Sequence, residues 1–486
     1  MGPSESATAV RRTRAQAPTR PPARLTPAER AARGKQARAA VPRASHAAFD
    51  PPADRPDPVD LLERQAASRV PELVPVRYGR MLASPFTYFR GAALPMASDL
   101  ARTPVSGLTV QACGDAHLSN FGMFASPERR LIFDLNDFDE TLPGPWEWDV
   151  KRLAASLEVA GRNNGFTVKE RREIVVATAA RYRTAMRTFA GMRNLDVWYA
   201  RAEVDEIVAR FQSMMDARRH KLLAKGVAKA RTRDSLREFA KLTYLVDGQP
   251  RIKADPPLLV PIADLLPEDT DEASVRSELS GLIARYRRTL ATDRRHLLEQ
   301  FVFGDMAHKV VGVGSVGTRC WILLMLGRDE SDPLFLQVKE AQPSVLAAYA
   351  GASRYVNQGQ RVVAGQRLMQ AASDIFLGWQ RMEKGLDGKT RDFYIRQLRD
   401  WKFSIPVEEM IPTGMRLYGG LCAWTLARAH ARSGDRIAIA SYLGGGDVFD
   451  RAIADFAVGY ADQNERDYDT LTKAAAAGRV TAERDV

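Results

Sequence analysis

Cysteines and long apolar runs are both scarce in this chain of 486 residues. No apolar run reaches the roughly 18 residues that span a bilayer, and the first residues lack the hydrophobic core of a signal peptide. The three cysteines, Cys113, Cys320 and Cys422, are too few and too scattered for a disulfide framework or a zinc site. We therefore expect a cytoplasmic protein with no membrane partner.

Acidic residues are scarce in the first 50 residues, where ten Arg or Lys accompany three acids and supply +7 of the net charge of +12. Residues 1–50 are rich in Ala, Pro and Arg and nearly free of aromatics. This composition predicts a disordered basic tail, with weak contact to an anionic surface as the alternative. The rest of the chain has no stripe of basic and aromatic residues, so nucleic-acid binding is not expected.

Beyond the tail, the hydrophobic pattern divides the chain into helical and strand-rich parts. Residues 51–304 show helical periodicity, above all over 146–240, with apolar residues three and four positions apart and charges between them. Residues 305–402 show several strand patterns, and residues 403–486 are helical again. The predicted fold is α+β, with a small, mostly antiparallel sheet lobe and a larger helical lobe.

The stretch CGDAHLSNFG, followed by LIFDLNDFDE, carries the strongest functional signal. Asp115 and Asn120 are five positions apart, and Asp137 follows an apolar run. Phosphoryl transfer from a nucleotide needs a carboxylate that orients the attacking hydroxyl, and an amide and a second carboxylate that hold magnesium. Asp115 is thus the predicted base, with Asn120 and Asp137 as metal ligands. The alternative is that these Asp, Asn and Gly residues form ordinary turns between buried strands.

A glycine-rich loop lies nearly 200 residues later. Gly312, Gly314 and Gly317 form a G-x-G-x-x-G pattern, and the apolar run Cys320–Leu326 that follows resembles a strand rather than a helix. A glycine loop inside a hairpin is typical of a kinase, whereas a dinucleotide-binding loop runs from a strand into a helix. We therefore predict that this loop, including Ser315, covers nucleotide phosphates with its backbone N–H groups.

Lys339 ends an otherwise apolar strand, LFLQVK. A buried lysine needs an anionic partner, so a role on nucleotide phosphates is expected, with a lysine on an edge strand reaching water as the alternative. No Asp or Glu occurs between Ala341 and Ser373, so the helix after this strand cannot supply the glutamate that pairs with the lysine in kinases. Either another acid pairs with Lys339 or phosphate alone orders it.

Two further segments leave alternatives open. In RYGRMLASPFTYFRGAA, the aromatic residues are expected to anchor the segment to the core, while Arg80 or Arg90 is an alternative phosphate contact. Near the C-terminus, His430 and Asp435 imitate the catalytic loop of a kinase. Ala440 stands where that loop needs Asn, so we prefer the motif at Asp115.

The order of the motifs is reversed relative to a kinase, because the glycine loop and Lys339 follow the acidic motifs. Joining the old termini and opening new ones preserves a site in space, so the pattern predicts a circularly permuted, protein-kinase-like, two-lobed fold. The helix at 420–435 would then be the one that precedes the catalytic loop in an unpermuted chain.

The motifs GDAHLSNFG and FDLNDFDE resemble the corresponding loops of aminoglycoside phosphotransferases. Together with PFTYFRG, VKEAQPSVL and VVAGQRLMQAASDIFLGW, residues 50–475 resemble the bacterial family called domain of unknown function 2252, which is regarded as kinase-like. The resemblance implies the roles given above for the acidic residues and for Lys339. It also implies that Asp149 is a structural anchor and that the backbone of Gln397 and Leu398 faces an adenine base.

The functional hypothesis is an ATP- and magnesium-dependent phosphotransferase that acts on a hydroxyl of an unidentified small molecule. One alternative is a pseudokinase-type module that binds nucleotide without transfer, because the helix glutamate is missing. Another is transfer of the nucleotidyl group, which uses the same metal ligands with the triphosphate reversed. The acceptor and the oligomeric state are left open by the sequence.

Overall fold

A computed structural model describes residues 25–211, 224–228, 231–232, 234–266, 272–310, 312–383, 385, 387–398 and 401–483. In this part of the chain the fold is α+β, as predicted, and the paired strands are antiparallel.

The α-helices are α1 (Pro27–Ala40), α2 (Pro58–Ala66), α3 (Val74–Met81), α4 (Pro85–Gly91), α5 (Ala93–Leu100), α6 (Trp146–Asn163), α7 (Val168–Gly191), α8 (Asn194–Tyr199), α9 (Val204–Phe211), α10 (Ser235–Leu242), α11 (Glu272–Arg287), α12 (Thr292–Leu298), α13 (Ala347–Ala350), α14 (Gln358–Met369), α15 (Pro412–Ser433), α16 (Arg436–Leu443) and α17 (Val448–Ala476). Capping boxes begin α1 at Thr26 and α7 at Thr167, where the N-cap hydroxyl and a glutamate three residues later satisfy free N–H groups.

The strands are β1 (Thr109–Ala112), β2 (Phe121–Ala125), β3 (Leu131–Leu135), β4 (Leu142–Pro145), β5 (Ala202–Glu203), β6 (Thr243–Val246), β7 (Gln249–Ile252), β8 (Leu259–Pro261), β9 (Val302–Lys309), β10 (Cys320–Leu326), β11 (Pro333–Ala341), β12 (Gly378–Met382) and β13 (Arg391–Gln397). They form a six-stranded sheet in the order β12-β13-β11-β10-β9-β8, a three-stranded sheet β2-β3-β5, and the pairs β1-β4 and β6-β7.

The six-stranded sheet contains the strands predicted around the glycine loop and Lys339. Strands β9 and β10 form the glycine-loop hairpin, β11 pairs with β10, and β13 lies on the other side of β11. In this register Lys339 lies opposite Cys320 on β10 and opposite Tyr394 on β13. Residues directly opposite each other in a ladder share a face of the sheet, so these three side chains lie on the same face.

Both faces of this sheet are covered by other elements. Trp321 and Leu323 of β10 belong to a core that includes residues of α11 and α12. On the other face, Ile322, Leu324 and Phe335 pack with Leu242 of α10 and with β7. Phe335 and Lys339 are four positions apart on β11, and side chains alternate along a strand, so this second core lies on the face that carries Lys339.

The boundaries of the sheet unit differ from the predicted segment 305–402. Leu279, Ile283 and Leu298 from α11 and α12 lie in the core of the sheet. The sheet also begins earlier, with β8 and with Val302 of β9. The helices just before residue 305 therefore pack with the sheet.

Helix α6 lies at the centre of the helical part and packs against α7, α15 and α17. Its Trp146 ring stacks on Tyr182 with centroids 5.6 Å apart. The spacing of apolar residues, with charges between them, predicted this helix, and it is buried from Trp146 to Gly161, including the charged Asp149 and Arg152. The reason is that elements surround this helix on all sides and its charged side chains find partners inside the protein.

The prediction of a disordered tail over residues 1–50 is wrong for residues 25–50, and residues 1–24 lie outside the described part. Helix α1 packs against α16, and a Cβ on Gly34 would lie 2.0 Å from the carbonyl oxygen of Ala438. Arg30 pairs with Asp435 at 2.8 Å. His46, just after α1, is fully buried and bonds Tyr442. Packing on α16 and ion pairing thus order a segment whose composition is typical of disorder.

Candidate active site

The loop that carries Asp115 (residues 113–120, the Asp115 loop) is held by Asp149 of α6. The carboxylate of Asp149 accepts the backbone N–H groups of Cys113 at 2.6 Å and Gly114 at 2.9 Å, and His430 lies 3.0 Å from it. Gly114 has φ +86°, and a Cβ there would lie 2.4 Å from the carbonyl oxygen of Glu140. Asp149 and Gly114 thus fix the backbone immediately before Asp115.

Asp115 itself lies between an arginine and a histidine. Arg152 of α6 donates to Oδ1 of Asp115 at 2.8 Å, and His117 Nε2 lies 3.7 Å from Oδ2. Burial raises the pKa of Asp115, and Arg152 opposes this shift without cancelling it. Burial lowers the pKa of His117 well below its usual value, so its ring is neutral. The predicted base is thus a carboxylate with increased proton affinity.

The predicted metal ligands lie on either side of Asp115. The side-chain amide of Asn120 donates through Nδ2 to the backbone carbonyl of Asp115 at 2.7 Å. The Oδ1 of this amide is the atom that would bind a metal ion. Asp137 lies in the acidic loop (residues 136–140), and about 30% of its side chain is exposed. Burial raises the pKa of Asp137, but the charges of Lys339 and Arg396 lower it below the usual value.

Lys339 has acidic partners, but none of them comes from the helix that follows it. Its Nζ forms an ion pair with Asp139 and lies 3.7 Å from Oδ2 of Asp137. Tyr394 donates its hydroxyl to Asp139 at 2.8 Å. Burial would lower the pKa of Lys339, but the two aspartates raise it well above the usual value, so the amine is charged. The acidic loop therefore supplies the acids that pair with Lys339.

Helix α14 contributes an arginine, Arg361, to this site. The buried guanidinium of Arg361 donates to the backbone carbonyls of Asp139 and Gln342 at 2.8 Å, and to that of Thr141 at 2.7 Å. These bonds join the acidic loop to the segment that follows β11. Arg361 therefore holds the Lys339 strand and the acidic loop together through their backbones.

The glycine loop (residues 312–319) faces the acidic loop at one position. Ser315 Oγ lies 3.4 Å from Asp139 Oδ2. Gly317, with φ +85°, turns away from the acidic residues, and its carbonyl accepts the N–H of Val70 at 2.8 Å. The loop is thus anchored on one side by the segment after α2.

A cavity of about 1010 Å³ lies between the sheet, the acidic loop and helices α2 and α4. Six of the predicted site residues line it: Asp115, Asn120, Asp137, Gly312, Gly314 and Ser315. Lys339 reaches the cavity wall through its contacts with the two aspartates, whereas Gly317 does not line the cavity. The structure thus brings together residues that are up to 200 positions apart in the sequence.

Gln397 and Leu398, predicted to face an adenine base, are not among the residues that line this cavity. The N–H of Gln397 donates to Asp374 at 2.7 Å, and the N–H of Leu398 donates to the carbonyl of Phe335 at 3.0 Å. Neither N–H group is free to bond a base. The prediction for these two residues has no support in this geometry.

The donor set suits a cation only in combination with phosphate. Among the described residues, no three His, Cys, Asp or Glu side chains converge as a metal site. Magnesium usually takes one or two carboxylates, and water and substrate phosphates complete its octahedron. Asp137 and the Oδ1 of Asn120 fit that partial role, and Lys339 would have to share the Asp137 carboxylate with the ion.

Three residues of this site were missed in the sequence. Asp139 carries a signal, because it lies two positions after Asp137 in the same Asp-Phe-Asp motif. Arg152 carries a weaker one, because it follows Asp149 by one helical turn and therefore lies on the same face of α6. Arg361 gave no signal, since an arginine on a predicted helix is ordinarily solvent-exposed.

The alternative loop near the C-terminus and Arg80 are not among the residues that line the cavity. His430 bonds Asp149 and Tyr182, while Asp435 caps α16 by accepting the N–H of Ala438 at 3.1 Å. Arg80 donates to the carbonyl of Gly312 and does not line the cavity. Arg90, in contrast, lines it.

Among the described helices, none has both the length and the apolar stretch needed to cross a bilayer.

Comparison with known proteins identifies the family of this chain. Comparisons with curated proteins and with solved structures gave no significant match. Residues 69–474 match the family described as "Uncharacterized protein conserved in bacteria (DUF2252)", which is most of the chain. The protein therefore belongs to the bacterial DUF2252 family.

Proposed function

We propose that this protein transfers a phosphoryl group from ATP, with magnesium, to a hydroxyl group of a small molecule. The observation that carries the proposal is the shared cavity of Asp115, Asn120, Asp137 and the glycine loop, with Lys339 paired to the aspartates of the acidic loop. These are the groups that a phosphotransferase needs to orient a hydroxyl, hold magnesium and bind phosphates.

In the proposed reaction Asp115 orients the acceptor hydroxyl and takes its proton. The acceptor oxygen bonds to the γ-phosphorus, the bond between that phosphorus and the β–γ bridging oxygen breaks, and ADP leaves. The raised pKa of Asp115 makes it a better proton acceptor than an exposed aspartate. Magnesium would supply positive charge against the phosphates, held by Asn120 and Asp137. Lys339 would neutralise phosphate charge from the sheet side.

We also propose that the fold is a circularly permuted kinase-like fold. A glycine-loop hairpin, a lysine strand beside it and a helix after that strand occur here in the order found in kinases. The end of α15 lies beside the strand that leads into the Asp115 loop, because the N–H of Gln111 donates to Oγ of Ser433 at 3.2 Å. Continuing α15 into β1 would recreate the unpermuted order.

Asp115→Asn tests the proposed reaction. Asparagine keeps the size of the side chain but cannot accept the proton, so ATP turnover with excess magnesium should fall about 100-fold or more. Nucleotide binding, measured by calorimetry, should persist. Asp469→Asn, an exposed aspartate of α17 that does not line the cavity, is the matched control. Equal turnover in Asp115→Asn and the control would contradict the proposal, and wild-type protein that binds ATP without turnover would support a binding module.

A second candidate function is nucleotidyl transfer, which one observation favours. The Lys339 face of the sheet is covered, beyond Lys339, by Leu242 of α10, which packs with Phe335 of β11, and the backbone at Leu398 is already bonded to Phe335. A base in the usual kinase position would have to displace this core. A nucleotide with its triphosphate reversed would instead extend into the large cavity.

The released product separates the two reactions. In nucleotidyl transfer the acceptor oxygen bonds to the α-phosphorus, the α–β anhydride breaks and pyrophosphate leaves. Phosphoryl transfer releases ADP. ATP labelled at the α-phosphate should leave its label on the acceptor, or on the protein, only if nucleotidyl transfer occurs. If only the label of the γ-phosphate is retained, nucleotidyl transfer is excluded.

A further inference from the structure

Arg90 lies at the junction of the glycine loop and the Asp115 loop. It lies in the last turn of helix α4, and its carbonyl oxygen would lie 3.2 Å from a Cβ on Gly314. Arg152 donates to Asp115 at 2.8 Å and to the carbonyl of Phe89 at 2.7 Å, so one guanidinium joins the predicted base to the residue before Arg90. The side chain of Arg90 lines the cavity at this junction.

The guanidinium of Arg90 has no partner of its own. Its Nε is buried without a hydrogen-bond partner, and in the described residues no ion pair or hydrogen bond involves this side chain. Glu408 and Asp115 attract it only through longer-range charge, and Asp115 is already paired with Arg152. A largely desolvated arginine without a counter-ion is costly, and an anionic ligand is the usual remedy.

Arg64 lies on the same wall of the cavity. The buried Arg77 donates through one nitrogen, Nη2, to Oε1 of Gln65 at 2.7 Å and to the carbonyl of Gly91 at 3.0 Å. This single atom holds the end of α2 beside the end of α4, and Arg64 and Arg90, each one residue from these contacts, both line the cavity. Arg64 is exposed, lines the cavity and makes no ion pair in the described part of the chain.

We propose that Arg90 and Arg64 bind a phosphate group of a ligand, at a subsite that adjoins the glycine loop and is formed by helices α2 and α4. Two planar guanidinium groups on one wall match the oxygens of a phosphate. If the proposed phosphotransfer holds, this phosphate belongs to the acceptor, which is then a phosphorylated hydroxyl compound. If the nucleotide binds reversed, the same site takes its terminal phosphate.

Calorimetry on the full chain with glycerol 3-phosphate as the probe tests this site, with and without saturating magnesium and a non-hydrolysable ATP analogue. We expect the phosphate ester to bind and glycerol not to bind. Arg90→Gln should weaken probe binding at least about tenfold, and Arg90→Lys less, because lysine keeps the charge without the fork. Arg187→Gln, an exposed arginine of α7 outside the cavity, should have no effect.

The two sources of phosphate give different results. Probe binding that survives saturation by the ATP analogue and is lost in Arg90→Gln assigns the site to the acceptor. A probe displaced by the analogue, together with weaker analogue binding in Arg90→Gln, assigns it to the nucleotide. Absence of analogue binding would count against the proposed function alone, since the probe is also titrated without it.

Two results would overturn the proposal: no binding of the probe at 10 mM, or unchanged probe binding in Arg90→Gln. Loss of fold is recognised by a second measurement. Because the buried Nε of Arg90 lacks a partner, Arg90→Gln should keep or raise the melting temperature of the ligand-free protein. The probe should raise the melting temperature of the wild type and of Arg187→Gln more than that of Arg90→Gln.

Discussion

At Lys339 one buried ammonium group balances the carboxylates of Asp137 and Asp139. In Lys339→Met the two acids, which are about a quarter exposed, remain close together without a counter-ion. Breaking such a partly buried pair should cost about 1–3 kcal/mol of unfolding free energy. Added Mg²⁺ should restore part of it, because the cation replaces the ammonium group.

Urea denaturation with and without 10 mM MgCl₂ measures this effect. We expect Mg²⁺ to stabilise Lys339→Met more than the wild type. Lys389→Met is the matched control, because Lys389 is exposed and lines the same cavity, and its stability should change by less than about 0.5 kcal/mol. Equal stabilisation of all three proteins by Mg²⁺ would contradict a cation site at the aspartates.

Glu140 makes the acidic loop sensitive to pH. Burial raises the pKa of Glu140 to about 7, although the N–H of Val345 donates to its carboxylate at 2.7 Å. A folded-state pKa above that of the unfolded chain means that the folded state prefers the protonated acid. Its contribution to stability is therefore complete below about pH 4.5 and is lost as the pH rises through 7.

Glu140→Gln should remove this dependence, since glutamine imitates the protonated acid and can still accept the bond from Val345. Relative to the variant, the wild type should lose up to about 3 kcal/mol between pH 4.5 and pH 8. Urea denaturation at both pH values measures the difference. The exposed Glu299→Gln should differ from the wild type by less than about 0.5 kcal/mol at either pH. If the difference in unfolding free energy between Glu140→Gln and the wild type were the same at both pH values, the raised pKa of Glu140 would be refuted.

At the residue scale, local motifs revealed some site residues and hid others. Asp115, Asn120 and Asp137 could be found because their spacing lies within one short stretch of chain. Partners such as Arg152 depend on how a helix is rotated against a loop, which the sequence does not encode locally. The prediction that the backbone of Leu398 faces an adenine base has no support for the same reason, since the bond from its N–H to Phe335 belongs to the sheet register.

At the element scale, helix α1 depends on close backbone contact with α16. Gly34→Ala would place a Cβ 2.0 Å from the carbonyl oxygen of Ala438, a backbone atom that cannot move alone. We expect a loss of about 1–3 kcal/mol, or detachment of α1. Gly281→Ala in α11 is the matched control, because its Cβ would meet only the flexible end of Arg285 at 3.6 Å.

Hydrogen exchange and thermal unfolding distinguish these outcomes. Gly34→Ala should speed amide exchange in α1 and α16, whereas Gly281→Ala should gain up to about 1 kcal/mol from the higher helix propensity of alanine. If both variants gained stability alike, α1 would not pack on α16 as described.

The elements of the sheet were easier to predict than α1. The apolar run of β10 and the glycine turns mark a hairpin without knowledge of its partners, so the strands around Lys339 were confirmed. Helix α1 has a visible start, the Thr26–Glu29 capping box, but an Ala- and Arg-rich composition that also suits disorder. Its stability comes from the contact of Gly34 with α16, about 400 positions away, and no local pattern carries that information.

At the scale of the whole molecule, the proposed site depends on proximity and not on chain order. A permutant that begins at Gly248 and ends at Asp247 should test this, because it restores the order of glycine loop, Lys339 and then Asp115. The turn between β6 and β7 is exposed there, and nothing lies within 4 Å of a Cβ on Gly248. Exposed turns are the sites where new termini are best tolerated.

The permutant joins residue 486 directly to residue 1, so residues 484–486 and 1–24, which lie outside the described part, connect the old ends. We expect the permutant to unfold cooperatively, to bind the ATP analogue within about threefold of the wild type, and to lose binding on Lys339→Met as the wild type does. A folded permutant without nucleotide binding would show that chain order, or the intact β6–β7 turn, matters to the site. A permutant that binds nucleotide normally would mean that the site depends on how its charged residues are arranged in space and not on the order of the motifs in the chain.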